Sequence, residues 1–180
     1  MARPNTHRLQ LTLLVASIIL QGCTSTVKSS NNYKLAQRQI CIHSGTVTTG
    51  LEVEVAATTA ERKKGLQQRA TLPENRGMLF EFNLDQPPER GFWMYRTLIP
   101  LDIAYLDKNG RILAIREMEP CASASRKDCQ LYPPGQKYRY ALEVNRGFFT
   151  ANNVNPGALV SLNGATCNNF PRMPEADPGH

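Results

Sequence analysis

Hydrophobic and polar residues alternate along much of the chain between positions 40 and 162, and this period of two predicts β-strands. The clearest run is LEVEVAA at 51–57, where apolar and acidic residues fall on opposite sides. Similar patterns predict further strands at 40–43, 78–82, 92–95, 102–106, 111–118, 138–145 and 158–162. Because short turns join most of these strands, we expect a mainly β fold, an antiparallel barrel or sandwich with one short helix.

Two of these strands have a distinct side. Met78, Phe80 and Phe82 are expected to share one face of their strand. In the 138–145 strand, one predicted face consists of Tyr138, Tyr140, Leu142 and Val144.

One helix is predicted after position 58. Thr58 and Glu61 match a capping box, in which each side chain binds the backbone amide of the other residue. A helix of about three turns should follow, through Arg62 and Leu66 to Ala70. Its basic residues are Arg62, Lys63, Lys64 and Arg69. They form a solvated face or a contact with anionic lipid or polymer.

Three connections complete the pattern. Asp107-Lys108-Asn109-Gly110 predicts a type I′ hairpin turn, because Asn-Gly tolerates positive φ angles. The segment 119–137 is a long loop that carries two cysteines and two adjacent prolines. The segment 147–154 is a short helical turn at most.

Residues 1–22 resemble a bacterial lipoprotein signal peptide. Arg3 and Arg8 precede an apolar run that is shorter than the roughly 20 residues a membrane-spanning helix needs. Leu20-Gln21-Gly22-Cys23 resembles a lipobox, so Cys23 is expected to become the lipidated N-terminus. The alternative is an ordinary secretory signal with a chance cysteine.

The signal predicts where the protein resides and how the chain is divided. Thr24 replaces the aspartate that retains lipoproteins in the inner membrane, so we expect an outer-membrane anchor facing the periplasm. Residues 23–39 read as a flexible tether, 40–167 as a single β-rich domain, and 168–180 as a disordered, proline-containing tail.

Composition adds a modest positive charge. The chain has 21 Lys and Arg residues against 15 Asp and Glu residues, a net charge of +6. Such a charge is compatible with attraction to anionic lipid or an envelope polymer, but it is not the signature of a nucleic-acid-binding protein.

Four cysteines besides Cys23 agree with an oxidising compartment. They predict two disulfides with three possible pairings, of which we favour Cys121–Cys129 and Cys41–Cys167. A zinc site is the alternative, but the short Cys-x-x-Cys pair typical of structural zinc is absent from the sequence. No metal or cofactor is therefore expected.

Several segments together resemble one family. The segments are ERKKGLQQRATLPENRGMLFEF, FWMYRTLIPLDIAYLDKNGRILAI, EPC and YALEVNRGFF. Between about Leu51 and Leu162 the chain resembles the bacterial and archaeal domain-of-unknown-function family 192. The resemblance implies a compact, β-rich, barrel-like fold and no established activity. Tyr95-Arg96 stands where the family usually has Lys-Asn, so a ligand read by that asparagine would be read differently here.

One carboxylate suggests a site. Asp102 alternates with Ala104 and Leu106, and a carboxylate among apolar residues is costly to bury unless it is paired. Arg96 and Arg62 are candidate partners. The structural alternative is an ion pair or a carboxylate that caps a loop.

The functional hypothesis is a shallow polar site. It would contain Trp93, Tyr95, Arg96 and Asp102, with Arg62 beside them. Aromatic rings stack on sugars or other flat faces, while Arg and Asp fix polar groups. The alternative for Trp93 is a place in the core.

Catalytic motifs are scarce. The sequence contains no His-Glu-x-x-His, Gly-x-Ser-x-Gly or phosphate-loop motif. His43 and His180 are the histidines after the signal, and His43 is most simply a strand residue. We therefore favour a non-catalytic binding or accessory module. The alternatives are a hydrolase of an envelope polymer, with Asp102 and Glu117 or Glu119 as paired carboxylates, and a structural lipoprotein that binds partners through its basic helix.

Overall fold

The computed structural model describes residues 34–163 and Cys167. The predicted signal peptide, the lipidated Cys23, most of the tether and the predicted tail lie outside these residues. The strands are β1 Ala36–Ser44, β2 Val47–Ala56, β3 Arg76–Gln86, β4 Phe92–Trp93, β5 Leu101–Leu106, β6 Ile112–Met118, β7 Leu131–Tyr132, β8 Tyr138–Asn145 and β9 Leu159–Ser161. The helices are α1 Thr59–Lys64 and α2 Phe148–Ala151, with a 3₁₀ turn at Arg126–Asp128.

Seven strands form one curled sheet, a half-barrel in the order β6-β5-β8-β3-β2-β1-β9, and β4 pairs with β7 separately. The predicted mainly β, barrel-like fold is confirmed. At one end the two edge strands approach each other. The amide of Val160 donates to the carbonyl of Gly110 at 2.8 Å, and the amide of Ile112 donates to the carbonyl of Ala158 at 2.9 Å.

The prediction of antiparallel pairing holds for every named strand pair of the described chain except β2 and β3, which are parallel. Parallel neighbours need a long crossover, and the connection 57–75 supplies one that contains α1. The helix therefore lies beside the sheet because it belongs to this crossover.

The inside of the curl, which we call the inner face, holds the first core cluster. All seven strands contribute buried residues to it, and α2 adds Phe148 and Phe149. Alternate residues of the same strands point the other way, since successive side chains in a strand take opposite faces. On β3, Leu79 belongs to the inner face, while its neighbours Met78 and Phe80 do not.

The outer face carries a second core cluster, covered by the α1 region, β4 and β7. Met78 and Phe80 are buried here and Phe82 packs against them, as predicted. Aromatic rings meet edge to face across this cluster: Phe80 and Phe92 at 4.8 Å, and Tyr105 and Tyr138 at 4.9 Å between centroids. Tyr138 therefore differs from the prediction, because it shares this face with Ala141 rather than the inner face with Leu142.

Helix α1 begins as predicted and ends early. Thr58 and Glu61 form the capping box, with bonds of 3.2 and 2.8 Å. The helix stops at Lys64 because Gly65 has a φ of +48° and donates its amide to the carbonyl of Glu61 at 2.8 Å. The expected three turns are thus wrong, and Leu66 enters the outer cluster as part of the following irregular segment.

One strand boundary and one predicted loop also differ from prediction. Strand β1 starts at Ala36, inside the predicted tether, because residues 36–39 pair with β2. The long connection 119–137 contains the 3₁₀ turn and β7.

The predicted hairpin between β5 and β6 is present, but its turn is not type I′. Gly110 has a positive φ of 85°, whereas Asn109 does not. The carboxylate of Asp107 instead accepts the amides of Asn109 and Arg111 at 2.8 and 2.9 Å, an arrangement typical of Asx turns.

Both predicted disulfides are present. Cys41 and Cys167 have Cα atoms 5.4 Å apart, and those of Cys121 and Cys129 are 5.7 Å apart. The second bond closes a short surface segment, residues 121–129, which we call the disulfide loop.

Candidate functional site

A groove of about 670 Å³ opens on the outer face. One wall is α1 with the residues that follow it, and the other is formed by β4, residues 95–97 and the disulfide loop. Phe80 from β3 and Tyr138 and Glu143 from β8 line it as well. Its size lies within the range of about 300–1,000 Å³ that is usual for small-ligand sites.

Basic side chains dominate the groove. They are Arg62, Lys63, Lys64, Arg90, Arg96 and Arg126. Within residues 34–163, none of the six forms an ion pair. Five arginines elsewhere each hold a carboxylate: Arg38, Arg69, Arg76, Arg139 and Arg146. The groove thus gathers six cations that no carboxylate of the described residues neutralises, and such a set favours anions.

Three of the four arginines of the groove contact aromatic rings, and the fourth, Arg90, donates to the side chain of Gln86. Arg126 lies 4.7 Å from the centroid of Trp93, and Arg96 lies 5.0 Å from that of Tyr95. Arg62 lies 4.8 Å from the ring of Phe82. Such cation–π contacts hold a guanidinium in place without neutralising its charge.

Arg62 has a mainly structural role. Its Nη1 donates to the carbonyl of Glu81 at 2.8 Å and also to that of Ala57, so that it ties α1 to β3. Lys63 and Lys64, on the same helix, are exposed beside it. They are the cations of this wall that are placed to meet a ligand.

Trp93 is not a core residue, since 41% of it is exposed. Tyr95 is half-buried, and its hydroxyl donates to the carbonyl of Ala124 in the disulfide loop at 3.4 Å. The structure therefore brings Trp93, Tyr95, Arg96 and Arg62 together, as the sequence predicted.

Arg96 has a φ of +58°, in the left-handed region that few residues other than glycine adopt. Its amide donates to the carbonyl of Cys121 at 3.3 Å, and its carbonyl accepts the amide of Gln68 at 2.8 Å. The bond to Cys121 holds Arg96 to the disulfide loop within one wall, and the bond to Gln68 joins the two walls. Asparagine tolerates this conformation well, so the asparagine that the resemblance implies at this position would suit the backbone whether or not it binds a ligand.

Asp102 is not part of the groove. It lies on the inner face with Ala104 and Leu106, whereas Trp93, Tyr95, Arg96 and Arg62 line the outer face. The prediction that groups these five residues is therefore wrong for Asp102, because a strand sends alternate residues to opposite faces.

The surroundings of Asp102 are those of a structural carboxylate. It is 2% exposed, and its Oδ2 accepts the amide of Gly147, just before α2, at 2.9 Å. The pKa of Asp102 is raised above its usual value, mainly because the side chain is buried. The amide of Gly147 opposes this shift, and the nearby charge of Glu117 adds to it. Asp102 thus fastens β5 to the start of α2.

The residues suggested for a hydrolase divide between two places. Asp102 and Glu117 lie opposite each other in the β5–β6 pair and both line a second cavity of about 330 Å³. Glu119 is instead bound to Arg146 in an ion pair. His43 lies on β1, where its Nδ1 is 3.0 Å from the hydroxyl of Thr48.

Glu143 is the residue that sequence reasoning missed. It lies near the end of β8 between Ile103 of β5 and Met78 of β3, and it is only 6% exposed. Among the described residues it is the only acid that lines the groove, and its carboxyl group has no hydrogen-bond or ion-pair partner there. Burial raises the pKa of Glu143 from 4.5 to about 8, so the group is mostly protonated at neutral pH.

A sequence signal for Glu143 existed. Tyr140 to Val144 is a nearly continuous apolar run that this acid interrupts. Such runs are typical of strands that are covered on both faces, and in those strands neither face leaves an acid in water.

Two absences concern the described residues alone. Within residues 34–163 and Cys167, no three His, Cys, Asp or Glu side chains come together in a way that could hold a metal ion. No helix in that part of the chain combines the length and the apolar character needed to cross a membrane.

Comparison with known proteins identifies two similar solved structures and one family. A crystal structure from Sinorhizobium meliloti 1021, named as a proposed transcription regulator, is 27% identical with a TM-score of 0.63, covering 71% of this chain and 95% of that one. A protein of unknown function from Novosphingobium aromaticivorans DSM 12444 is 29% identical with a TM-score of 0.61, covering 71% and 86%. No curated protein matched. The model of family DUF192, described as "Uncharacterized ACR", matches residues 40–162, and the chain belongs to that family.

Proposed function

We propose that this chain is a lipid-anchored, non-catalytic binding module of the bacterial cell envelope, which captures an anionic ligand in the groove of its outer face. The observation that carries the proposal is the set of six basic side chains that share this groove with aromatic rings and form no ion pair within residues 34–163. Charged groups left without a partner at a concave, ring-lined surface are typical of recognition sites.

The hypothesis of a structural lipoprotein that binds partners through its basic helix concerns the same surface. Lys63 and Lys64 form one wall of the groove, so a contact through α1 and a contact through the groove use the same surface. For the hydrolase hypothesis, Asp102 and Glu117 do share the second cavity, but Asp102 holds the amide of Gly147, and Glu119 holds Arg146.

The charge of the groove is tested with short-chain polyphosphate, an anion without a ring. We expect the purified full-length chain in detergent to bind it, and Lys63→Gln/Lys64→Gln to weaken binding by about tenfold. The matched control is Lys108→Gln/Lys137→Gln, two exposed lysines that do not line the groove. Equal loss in both pairs would show that binding follows net charge, and the proposal would fail.

The anchor is tested separately, through Cys23. The lipobox-like Leu20–Cys23 supports it, and two or three acyl chains hold a protein at a membrane far better than one. We expect Cys23→Ala to abolish incorporation of labelled palmitate and to release the protein from the membrane fraction. Labelling that persists in this variant would contradict lipidation at Cys23.

A further inference from the structure

The presence of Glu143 distinguishes this groove from a site that binds anions through charge alone. Glu143 is only 6% exposed and has no hydrogen-bond partner among the described residues, and holding a carboxyl group in that state costs folding free energy. A protein that only attracted anions would gain nothing from an acid there, since an ionised Glu143 repels them. The cost is instead explained if a ligand supplies the missing partner.

The chemistry of the carboxyl group restricts that partner. A protonated carboxyl both donates and accepts, while an ionised one only accepts. A ligand hydroxyl can donate and accept, so it matches Glu143 in either state. A phosphate or carboxylate of the ligand can only accept from the protonated form, and it is better matched by Lys63, Lys64 and Arg96 at the exposed walls.

Besides a hydroxyl for Glu143 and an acidic group for the cations, the aromatic residues favour a ligand that contains a ring. Trp93 is partly exposed on one wall, with Tyr95 beside it, and each ring is within 5.0 Å of an arginine. Rings of this kind bind the apolar face of another ring, while the adjacent cations bind its charged substituents.

We infer that the groove is a site for an acidic carbohydrate, whose sugar ring packs on Trp93 and Tyr95, whose phosphate or carboxylate meets Lys63, Lys64 and Arg96, and whose hydroxyl binds the carboxyl group of Glu143. The inference rests on the proposed function and names its ligand class. Tight binding requires the charged group, the ring and the hydroxyl in one ligand, so an experiment can distinguish it from general anion binding.

Isothermal titration of the purified full-length chain with small probes tests this requirement. Glucuronate and glucose 1-phosphate carry ring, hydroxyls and acid. Glucose lacks the acid, inorganic phosphate lacks the ring, and cyclohexanecarboxylate lacks the hydroxyls. We expect at least one acidic sugar to bind at least tenfold more tightly than each of the three incomplete probes.

Variants of Glu143 then locate the hydroxyl contact. Glu143→Ala should remove the preference for glucuronate over cyclohexanecarboxylate, whereas Glu143→Gln, which keeps a donor and an acceptor, should retain most of it. Asp102→Asn is the matched control, a buried acid of the opposite face, and should leave the preference within about twofold. Near-ultraviolet circular dichroism identifies any variant that does not fold.

Three outcomes have distinct meanings. If polyphosphate binds at Lys63 and Lys64 while no acidic sugar exceeds its incomplete probes, the carbohydrate inference fails and the anion site stands. If acidic sugars bind but Glu143→Ala keeps the full preference, the assigned role of Glu143 is wrong. If neither polyphosphate nor any acidic sugar binds, both proposals fail.

Discussion

Asp102 and Glu143 are buried carboxylates on neighbouring strands, one residue out of register with each other. Asp102 is opposite Val144, and Ile103 is opposite Glu143. This offset sends Asp102 to the inner face, where its Oδ2 accepts the amide of Gly147 while its Oδ1 is left without a hydrogen bond among the described residues. Glu143 faces outward, where the described residues give its carboxyl group no partner. The two acids therefore differ in how the fold holds them: the bond to Gly147 ties Asp102 to the start of α2, whereas no described residue bonds the carboxyl group of Glu143, which borders the groove.

The largest expected effect concerns Glu143 and pH. Because its pKa is about 8 in the folded chain and near 4.5 when unfolded, its contribution to stability is fully present below about pH 4.5 and is lost as the pH rises to about 8. We expect Glu143→Gln to gain on the order of 4 kcal/mol over the wild type at pH 9, and far less at pH 5. Urea unfolding at both pH values measures this gain. A gain independent of pH would show that Glu143 does not titrate in this way.

The next effect concerns the wall above Glu143. Replacing both Cys121 and Cys129 by Ser removes the closure of the disulfide loop, which carries Arg126. We expect a loss of about 2 kcal/mol in unfolding free energy, given the short loop. Polyphosphate affinity should fall as well, because Arg126 loses its position over Trp93.

Thermal unfolding and titration of this variant check the two parts together. The control is Cys41→Ser/Cys167→Ser, which removes the disulfide that does not line the groove and should leave polyphosphate affinity within about twofold. Weaker stability with unchanged polyphosphate affinity would exclude the disulfide loop as a functional wall.

A smaller effect should follow from removing the carboxylate of the inner face. Asp102→Ala leaves the amide of Gly147 without its acceptor, so we expect a loss of about 1–2 kcal/mol. Ligand affinity at the groove should stay within about twofold, since the sheet separates the two faces. Calorimetric unfolding and glucuronate titration measure both. A strong loss of affinity with intact folding would join Asp102 to the site and break the contrast with Glu143.

The smallest effect concerns the left-handed residue of the groove. Arg96 has a φ of +58°, so Arg96→Asn should stabilise the chain by about 0.5 kcal/mol while removing one cation. Stability and affinity should therefore move in opposite directions. Thermal unfolding with polyphosphate titration decides this; a destabilised Arg96→Asn would mean that the contact with Tyr95 outweighs the backbone gain.

Local patterns in the sequence predicted much of the fold. Alternation located the strands, and β8 has the predicted bounds Tyr138–Asn145. The capping box fixed the start of α1. The number of cysteines, together with the oxidising compartment expected from the signal, led to both disulfides. Each of these features depends on a few neighbouring residues or on a short set of alternatives.

Other features depend on distant parts of the chain and were therefore missed. The parallel pairing of β2 and β3 follows from the path of the crossover, which no local pattern specifies. For the site, sequence grouped Trp93, Tyr95 and Arg96 correctly because they are adjacent. It misassigned Asp102 and overlooked Glu143, since alternation separates two faces without telling which is covered, and here both are.

Both walls of the groove are connections rather than strands of the curled sheet. One belongs to the crossover between β2 and β3. The other combines β4 and residues 95–97, from the connection between β3 and β5, with the disulfide loop, from the connection between β6 and β8. Such segments can change in sequence while the inner core stays intact. Members of the DUF192 family can therefore share one scaffold and diverge in ligand choice. Exchanging all three connections between this chain and its Sinorhizobium relative should exchange their ligand preferences, whereas exchanging one alone should leave a mismatched and weak site.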